Sequence, residues 1–474
     1  MPRKQEEPIP KSIALAWAFA GLLHLLTFRW ALPLSWDGIV YTAATFLLLA
    51  KPGKPLRQAA FLLSTILLIA WNYPTVSNHI VLEFWIMLSL AGTFLVRRWV
   101  PNAKTPASAS FFDTIAPLVR IQYLLAFAFA AFSKLNSDFL DPEWSCAALF
   151  AERSLEFLQL ETLSFGILSP DHRIFATGAI FLALCLEIAI PCLLLFRRTR
   201  RPGICLALLF HFAMGFVPIL GISSYSALSF TLLLFFFPKE SLQSLEHKLD
   251  RIFKSLPFAR KTTFPTPLLT ASLLAIALFL QHRYFHPAAT PIAFLVWLTI
   301  YLPFTLLAFQ ALKCGKGFTT EQANRPLPRP RFLAIFALPV LMLGLLPYIG
   351  LQTQGSFTMF SNLRTLGPQP NHLLAAFARP QREPILIKIH STNHPNLASY
   401  PKSGLLLTSH EFARKTTGTN EDYFVLCEYE GKMELVGRFN GELTPHPILH
   451  ELRFPTSWIR FRDVPEADHC PCTW

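Results

Sequence analysis

The residue best placed to do chemistry is Lys134, which lies near the end of the long apolar stretch from Asp113 to Leu140. Within that stretch Asp113, Arg120 and Lys134 follow a seven-residue register, and Phe127 fills the remaining position. Seven residues make almost two whole turns of an α-helix, so these side chains share one face. A charge in hydrocarbon costs roughly 2.5–3.5 kcal/mol. We therefore expect this face to line a cavity inside a membrane rather than to meet lipid.

Two interpretations of Lys134 are open. Burial disfavours the charged ammonium, so a dry pocket would leave a neutral amine that can act as a general base. Alternatively, Lys134 lies in the last turn of its helix and snorkels to the membrane interface. Arg120 lies roughly 21 Å along the helix from Lys134, at about 1.5 Å per residue, so the two residues cannot share one small site.

Other polar residues fall deep in apolar segments and are candidates for the same region. Glu187 lies four residues before Pro191, and His211 lies near the middle of the next apolar run. Ser224 and Tyr225 begin the run after that, at the same end as Lys134. Ionisable groups within a membrane indicate function by default. The structural alternatives are an Arg120–Glu187 ion pair and a core histidine at position 211.

The composition places these residues in a polytopic membrane protein. Of 474 residues, 52% are hydrophobic and only 15% are charged, and the mean hydropathy is +0.39. Most of the apolar runs reach the length that a helical crossing needs. They predict a bundle of about eleven transmembrane helices, at 12–33, 36–50, 57–72, 79–96, 110–135, 173–196, 202–219, 222–238, 264–281, 289–311 and 331–350.

The distribution of basic residues predicts the topology. The net charge is +13, but 24 basic residues before residue 350 fall in alternate loops and only four fall in the loops between them. This bias is typical of cytoplasmic loops, and it argues against nucleic-acid binding. The N-terminus is then cytoplasmic, as in a multi-pass protein of a bacterial inner membrane. Because eleven is an odd number of spans, everything after residue 350 is expected on the side opposite the N-terminus. The chain then consists of a transmembrane domain, residues 1–350, and an extracytoplasmic domain, residues 351–474.

The C-terminal domain is predicted to be small and β-rich, and to pack over the external mouth of the bundle. Period-two patterns predict strands over 384–390, 423–429, 433–439 and 457–462. Glu430-Gly431-Lys432 is a hairpin signal between the second and third of these. Residues 409–414 are expected to form a short helix. Residues 136–172 form a long external loop in which 146–158 is partly amphipathic.

The eight cysteines divide between the two sides of the predicted membrane. Cys146, Cys470 and Cys472 fall on the external side, where disulfides persist. A bond from Cys146 to Cys470 or to Cys472 would tie the long loop to the tail. The ending His469-Cys470-Pro471-Cys472 has no second ligand pair at zinc spacing, so no metal site is predicted.

Two sequence blocks resemble a known family. Gln122-Tyr123 followed by Ala131-Phe-Ser-Lys-Leu-Asn-Ser-Asp-Phe139 resembles the segment of vitamin K-dependent gamma-glutamyl carboxylases that contains the catalytic lysine. Phe210-His-Phe212 followed by Ile219-Leu-Gly-Ile-Ser-Ser-Tyr225 resembles a later segment of those enzymes. Together the blocks are similar to the wider HTTM family of membrane proteins. The run Gly350 to Arg364, followed by Asn371-His372, resembles a segment of bacterial HTTM proteins.

The resemblance implies a quinone-linked reaction. In the carboxylases a lysine amine deprotonates reduced vitamin K, and oxygen then adds. The resulting strong base removes a glutamate γ-proton before carbon dioxide is captured. For this chain it implies Lys134 and His211 as catalytic residues. Gln122, Tyr123, Ser224, Tyr225, Arg120 and Glu187 would shape the pocket for substrate and cofactor. Ser133 stands where the carboxylases have a second lysine, and the tail is much shorter than theirs.

The first hypothesis is therefore a membrane enzyme of the carbon–carbon lyase and monooxygenase type. It would use a reduced quinone, with carbon dioxide and oxygen as co-substrates, to modify a secreted peptide or another extracytoplasmic substrate. A second hypothesis is a non-catalytic membrane partner in export, maturation or immunity that holds a secreted peptide through its tail. A transporter is the third, because the charged face of the 110–135 helix could line a path. The sequence does not predict an oligomeric state.

Overall fold

The computed structural model describes most of the chain. The described residues are 9–28, 35–99, 110–158, 173–215, 220–255, 289–314, 327–328, 330–367, 369–373, 385–416, 419–449, 456–466, 469–470 and 472. Within them the protein is mostly helical, with a small antiparallel sheet near the C-terminus. The expected combination of a helical bundle and a β-containing tail is confirmed at this level.

Twelve helices and one helical stretch with 3₁₀ ends cover the described part of residues 9–350. The helices are α1 Lys11–Thr27, α2 Trp36–Ala50, α3 Pro55–Asn72, α4 Asn78–Trp99, α5 Phe111–Phe132, α6 Ser137–Leu140, α7 Cys146–Leu158, α8 Arg173–Leu195, α9 Arg200–Met214, α10 Leu220–Leu233, α11 Lys239–Ser255 and α12 Ala289–Cys314. The stretch is α13, Leu338–Leu345, flanked by 3₁₀ turns at Arg331–Ala337 and Leu346–Ile349. The predicted run at 264–281 lies outside the described residues. The other ten predicted runs each coincide with a helix or with this stretch.

The predicted number of membrane spans is wrong for the described residues. Only four helical segments there are both long and apolar enough to cross a membrane: Asn78–Trp99, Phe111–Phe132, Arg173–Leu195 and Arg331–Ile349. Three other apolar helices, Lys11–Thr27, Trp36–Ala50 and Ile222–Phe236, have at most 17 residues. At about 1.5 Å per residue such helices fall short of a hydrocarbon layer of roughly 30 Å. Apolar runs locate the helices well, but they do not show which helices cross.

The core of the bundle forms around α1, whose residues are almost all buried. A helix that is apolar all round is expected at the centre of a bundle. The helix α5 begins at a capping box, in which the side chains and backbone N–H groups of Ser110 and Asp113 bond reciprocally. This cap fixes the start of α5, and its end carries Lys134.

The tail folds as a six-stranded antiparallel sheet of order β5-β4-β3-β1-β2-β6. The strands are β1 Leu386–Thr392, β2 Leu405–Thr408, β3 Tyr423–Tyr429, β4 Lys432–Phe439, β5 Glu442–Leu443 and β6 Val464–Pro465. The helix α14, Ser409–Thr416, packs on the sheet. The hairpin between β3 and β4 turns at Glu430 and Gly431, which both have positive φ, as predicted.

The strand predicted at 457–462 is wrong. Residues Thr456–Trp458 form a 3₁₀ turn, and the chain from there to β6 is irregular. Its backbone bonds to residues of the 350s instead of to a strand. The N–H groups of Thr353 and Gln354 both donate to the carbonyl of Arg460, at 3.0 and 3.2 Å. Long-range pairing of this kind overrides a local β-pattern.

The tail packs against the end of the bundle where α3 and α4 are joined. Arg460 Nη1 donates to the carbonyl of Pro74 at 3.2 Å. The rings of Trp458 and Tyr73 lie 4.8 Å apart. These contacts agree with the expectation that the tail covers one mouth of the bundle.

A disulfide joins Cys146, at the start of α7, to Cys472 in the tail, with the two Cα atoms 5.1 Å apart. This is one of the two pairings that the sequence predicted. Cys470, two residues away, is buried and is not part of this disulfide. The bond therefore fixes the C-terminus of the chain beside the loop that follows α5.

Removing this disulfide is expected to lower the thermal stability clearly. A cross-link over a long loop contributes about 2–4 kcal/mol, chiefly by restricting the unfolded chain. We expect Cys146→Ser combined with Cys472→Ser to lower the Tm of the full-length protein under oxidising conditions. Cys185→Ser, at an exposed free cysteine of α8, is the matched control and should leave the Tm unchanged. Equal melting of the double variant and the control would contradict the structural role of the bond.

Candidate active site

Lys134 is buried at the end of α5, with only 5% of its surface exposed. Its Nζ donates to the carbonyl of Ala130 at 3.1 Å and to the carbonyl of Met359 at 3.2 Å. The ring of Phe139 lies 5.9 Å from the amine. The amine therefore points into the protein, and the snorkelling alternative is wrong.

Glu187 of α8 approaches this amine directly. Its Oε2 lies 2.8 Å from Lys134 Nζ, and the Glu187 side chain is 15% exposed. The angles of approach fall outside hydrogen-bond geometry, so the contact is an ion pair defined by distance. Opposite charges attract more strongly away from water than in it. The lysine and the carboxylate thus form one unit, and Glu187 is its acidic member.

The expected Arg120–Glu187 pair is wrong, because Arg120 lies too far along α5 from Lys134 and its partner. Arg120 Nε donates to the carbonyl of Phe235 at 2.7 Å, and its guanidinium lies 5.8 Å from the ring of Phe236. Asp113, at the start of α5, pairs with Lys239 at 2.7 Å. The three charges on this face of α5 therefore have three separate environments. They do not line a single cavity.

Lys134 and Glu187 line a cavity of about 350 Å³ between α5, α7, α8, α9 and α10. Its wall is mostly apolar and aromatic, and Phe127 lies one helical repeat before the lysine. Among the described residues, the polar side chains in the wall are those of Lys134, Ser154, Glu187 and Tyr225. Such a site, apolar with a few convergent polar groups, is typical of a small-molecule pocket.

The structure brings some of the other predicted residues to this cavity and places others elsewhere. Tyr225 lines it, and His211 lies behind, with its ring 5.3 Å from Tyr225 and 5.9 Å from Phe127. Tyr123 lies deeper and its hydroxyl contacts His211 Nε2 at 3.1 Å. Because Tyr225 and Phe127 separate the imidazole from the cavity, His211 supports the wall rather than meeting a ligand.

Gln122 and Ser224 are not part of the cavity wall. Gln122 Nε2 donates to Ser89 Oγ at 2.8 Å and to the carbonyl of Phe336 at 2.9 Å, so it joins α5 to its neighbours. Ser224 is fully buried on the other side of α10 from Tyr225 and contacts two histidines. Successive residues of a helix point in different directions, which separates Ser224 from Tyr225.

The segment from Gly350 to Asn371, singled out by its sequence, braces the lysine. Asn362 Nδ2 donates to the carbonyls of Trp144 and Cys470, and Asn371 Nδ2 donates to Asp138 Oδ2 and to the carbonyl of Asn362. These side-chain amides replace regular secondary structure as partners for the backbone. They hold the segment so that the Met359 carbonyl reaches Lys134.

Three residues of this bracing segment adopt an unusual backbone conformation. Phe357, Phe360 and Asn362 have φ of 59°, 50° and 51°. For bulky non-glycine residues this left-handed region is strained, and such strain is concentrated at functional sites. Phe360 and Met359 are themselves part of the cavity wall. The strain thus lies directly beside the lysine.

A second and more polar cavity, of about 550 Å³, lies where the tail meets the bundle. Its wall includes charged residues of the tail, namely Glu411, Lys415, Arg460, Arg462 and Asp463. His79 at the start of α4 belongs to the wall from the bundle side, and Met359 and Phe360 line both cavities. We call this space the mouth cavity. The sequence did not predict it, because it forms only when the tail docks.

Glu411 is the electrostatic centre of this region. It is 1% exposed, and its Oε1 accepts from Arg460 Nε at 3.1 Å and from the Phe461 backbone N–H at 2.9 Å. Its Oε2 accepts from Arg414, at 2.8 Å from Nε and also from Nη2. Burial alone raises the pKa of Glu411, but these hydrogen bonds and arginine charges outweigh burial and hold the pKa below its ordinary value.

The stability of the tail is expected to fall at acidic pH because of Glu411. A carboxyl group with a lowered folded-state pKa contributes stability above its unfolded pKa, and this is lost as the pH falls through the folded value. Burial raises the pKa of Asp463, so the contribution of Asp463 to the stability of the tail increases as the pH falls. We expect Glu411→Gln to flatten the acid limb of a plot of Tm against pH. Asp463→Asn should make that limb steeper, and unchanged limbs in both variants would contradict the assignment.

Three buried ionisable residues were missed by the sequence reasoning: His24 of α1, and His79 and Glu83 of α4. Each has at most 3% of its surface exposed. Both oxygens of Glu83 have partners, since Oε1 accepts from Trp17 Nε1 at 2.9 Å and Oε2 contacts His24 Nε2 at 3.0 Å. The spacing of His79 and Glu83, four residues apart on one apolar helix, is the signal that could have found them.

Among the described residues, no group of three His, Cys, Asp or Glu side chains could hold a metal ion. No protein-family model, curated protein or solved structure matches this chain.

Proposed function

We propose that the protein is a membrane enzyme of the gamma-carboxylase-like class that uses a reduced quinone. The observation that carries this proposal is the Lys134–Glu187 pair, 2.8 Å apart in the wall of a mostly apolar cavity. The sequence blocks around Lys134 and Tyr225 resemble those of the carboxylases, and both residues line that cavity. An ionisable pair in an apolar pocket is a candidate for acid–base chemistry on a specific physical ground.

The residues of the cavity fit a quinone. A volume of about 350 Å³ accommodates a ring system, and aromatic side chains such as Phe127 and Phe210 offer it flat surfaces. Leu182 is 61% exposed on α8 while also lining the cavity, so the wall continues onto the outer surface of the helix. An isoprenoid tail can leave the cavity along that surface, toward lipid.

Lys134 and Glu187 would supply the proton chemistry. Lys134 Nζ donates to two backbone carbonyls, and Glu187 Oε2, 2.8 Å away, would take up its proton. The pair would then react as a neutral amine beside a neutral acid. In this state Nζ can accept a proton from an acidic group of a ligand beside it. A reduced quinone, when bound, would supply such a group.

The protein matrix keeps this step dry. The cavity wall is apolar on most sides, and Phe360 and Met359 separate it from the polar mouth cavity. The mouth cavity, with its arginine and lysine side chains, would receive an extracytoplasmic substrate such as a secreted peptide. Carbon dioxide and oxygen are small and apolar enough to enter through the bundle.

The proposal also includes a location. The four helices that are long and apolar enough to span a membrane agree with an integral membrane protein. The bias of basic residues supports a cytoplasmic N-terminus, and we propose that the tail lies outside the cytoplasm. The Cys146–Cys472 bond supports the same location for the tail, since disulfides persist in oxidising compartments.

Binding of a reduced quinone to the purified full-length protein tests the proposal. We expect lipid extracts of the protein to contain a quinone by mass spectrometry. Menaquinone added in detergent should raise the Tm, and Phe127→Trp, which fills the cavity, should abolish that shift. Phe304→Trp, at a buried phenylalanine of α12 outside the cavity, is the matched control. No quinone in the extract and no shift with menaquinone would contradict the proposal.

One observation favours a second candidate, a non-catalytic partner that binds a secreted protein. Met433, Leu435 and Phe439 alternate along β4 and are 54%, 55% and 44% exposed. Alternate residues of a strand share a face, so these side chains form an apolar patch on the sheet. Leu435→Glu would abolish the function of such a partner while leaving quinone binding intact, whereas the enzyme would keep its turnover.

A further inference from the structure

Four buried polar side chains form an unbroken chain of contacts across the bundle core. His24 Nε2 lies 3.0 Å from Glu83 Oε2, and His24 Nδ1 lies 2.6 Å from Ser224 Oγ. The same Ser224 oxygen lies 3.0 Å from Nε2 of His79. Glu83 and Ser224 have no exposed surface, and His24 and His79 have 2% and 3%. We call these four residues the buried relay.

Elementary chemistry assigns the donor and the acceptor in each contact of the buried relay. An ionised Glu83 only accepts, so His24 Nε2–H donates to it and His24 Nδ1 becomes an acceptor. The Ser224 hydroxyl then donates to His24 Nδ1. Its oxygen is free to accept from His79 Nε2–H, which leaves Nδ1 of His79 as the nitrogen that can exchange a proton. Every link is within hydrogen-bond distance.

The relay has one end at a cavity and one end in the core. His79 is part of the wall of the mouth cavity, together with Thr27 and Phe28 at the end of α1. Glu83 lies one turn deeper along α4 and meets Trp17 Nε1 on its other oxygen. A proton that enters at His79 therefore has a path to the core, and that path ends at the Glu83 carboxylate.

A hydrolase-like role for Ser224 does not fit this arrangement, although a serine, a histidine and a glutamate are in contact. A nucleophilic hydroxyl must reach a substrate carbonyl, and Ser224 is completely buried between two imidazoles. A purely structural role for the four residues would also be energetically unfavourable. Buried polar groups must each find partners, and an apolar core would avoid that requirement.

We propose that Glu83, His24, Ser224 and His79 relay a proton between a ligand in the mouth cavity and the His24–Glu83 pair. A weakly acidic group of the ligand gives its proton to His79 Nδ1, and the proton on His79 Nε2 passes to Ser224 Oγ. The Ser224 hydroxyl proton passes to His24 Nδ1. The added proton then rests on the His24–Glu83 pair, and the ligand leaves as its conjugate base. One proton moves, no electrons are transferred, and the return of the proton resets each tautomer.

This proposal is independent of quinone chemistry at Lys134. It assigns a second acid–base centre, reached from the polar cavity, and its ligand class is a weak acid small enough for about 550 Å³. The relay holds the proton without contact with water.

Infrared difference spectroscopy of the full-length protein after a rapid drop in pH tests the relay without any substrate. We expect a change in the carboxyl bands of Glu83, assigned by its loss in Glu83→Gln. If that variant does not fold, the assignment comes from the band shift in Glu83→Asp. Ser224→Ala should slow the change at least about tenfold, since a missing partner in positioned proton transfer costs roughly 10²–10⁴-fold in rate. Ser224→Thr, which keeps the hydroxyl, should restore the rate.

Ser226→Ala is the matched control, because Ser226 is an equally buried serine of α10 whose hydroxyl has no hydrogen-bond partner among the described residues. It should respond at the wild-type rate. His79→Phe should slow the change as Ser224→Ala does. The proposal is overturned if wild-type protein shows no Glu83 signal, or if Ser224→Ala responds as fast as wild type.

Discussion

Lys134→Met is expected to lower the oxygen-dependent turnover of a reduced quinone by about 10²–10⁴-fold, the usual contribution of a positioned acid–base group. The variant keeps the length of the side chain and removes the amine that contacts Glu187 at 2.8 Å. Binding of the quinone should persist, because most of the cavity wall is apolar and unchanged. The loss should therefore appear in kcat rather than in KM. Oxygen consumption by the protein in detergent, with menaquinol as substrate, measures both constants.

Lys239→Met is the matched control, because Lys239 of α11 also pairs with a residue of α5. Lys239 also pairs with a carboxylate, Asp113, at 2.7 Å, but at the opposite end of α5. Its loss should leave turnover close to the wild-type value. Glu187→Gln should slow turnover less than Lys134→Met does, because the amine remains. Wild-type turnover in Lys134→Met, with the fold intact, would end the assignment of Lys134 as the base.

Glu411→Ala is expected to destabilise the tail by about 3–5 kcal/mol, the usual cost of removing one partner from a buried charge network. Glu411 accepts hydrogen bonds from Arg414, Arg460 and the Phe461 backbone, so its loss leaves two arginines without their shared carboxylate. Arg460 also contacts Pro74 of the bundle, so the docking of the tail should weaken too. A lower Tm and faster proteolysis of the tail would report these effects.

Glu428→Ala is the matched control for this prediction. Glu428 lies on β3 of the tail, with its side chain 46% exposed, and it pairs with His390 at 3.8 Å. An exposed pair of this kind contributes little to stability. If Glu411→Ala melts at the same temperature as Glu428→Ala, the buried network does not hold the tail.

The helices were predictable because each depends on a local pattern. The run at 36–50 matches α2 at both ends, and the runs near α4, α5 and α8 differ from the helices by a few residues. The number of crossings was not predictable, because it depends on helix length and packing as well as on hydropathy. The helix α1 illustrates this, since it is apolar but is buried among its neighbours.

The longer strands β1, β3 and β4 were predictable from their period-two patterns, and β1 begins two residues after its predicted start. The β3–β4 hairpin follows from Glu430-Gly431, whereas β2 and β6 are short and pair with distant strands. The pattern at 457–462 predicted a strand because alternation cannot reveal that this backbone bonds to Thr353 and Gln354.

The candidate site was partly predictable for the same reason. The burial of Lys134 was one of two interpretations that the sequence left open, and the Cys146–Cys472 bond was one of two predicted pairings. The partner of Glu187 was predicted wrongly, because the sequence indicated Arg120 and the structure shows Lys134. The position of α8 along α5 decides whether Arg120 or Lys134 lies beside Glu187, and helix packing sets that position. His24, His79 and Glu83 form a network only after α1, α4 and α10 have met.

Met359 and Phe360 give the two cavities a common partition. A ligand that displaces these two residues toward one cavity enlarges the other cavity. Binding in one cavity therefore changes the volume of the other. Phe360, whose φ of 50° is rarely adopted by bulky residues, is part of this partition, so a change in either cavity is expected to act on that backbone.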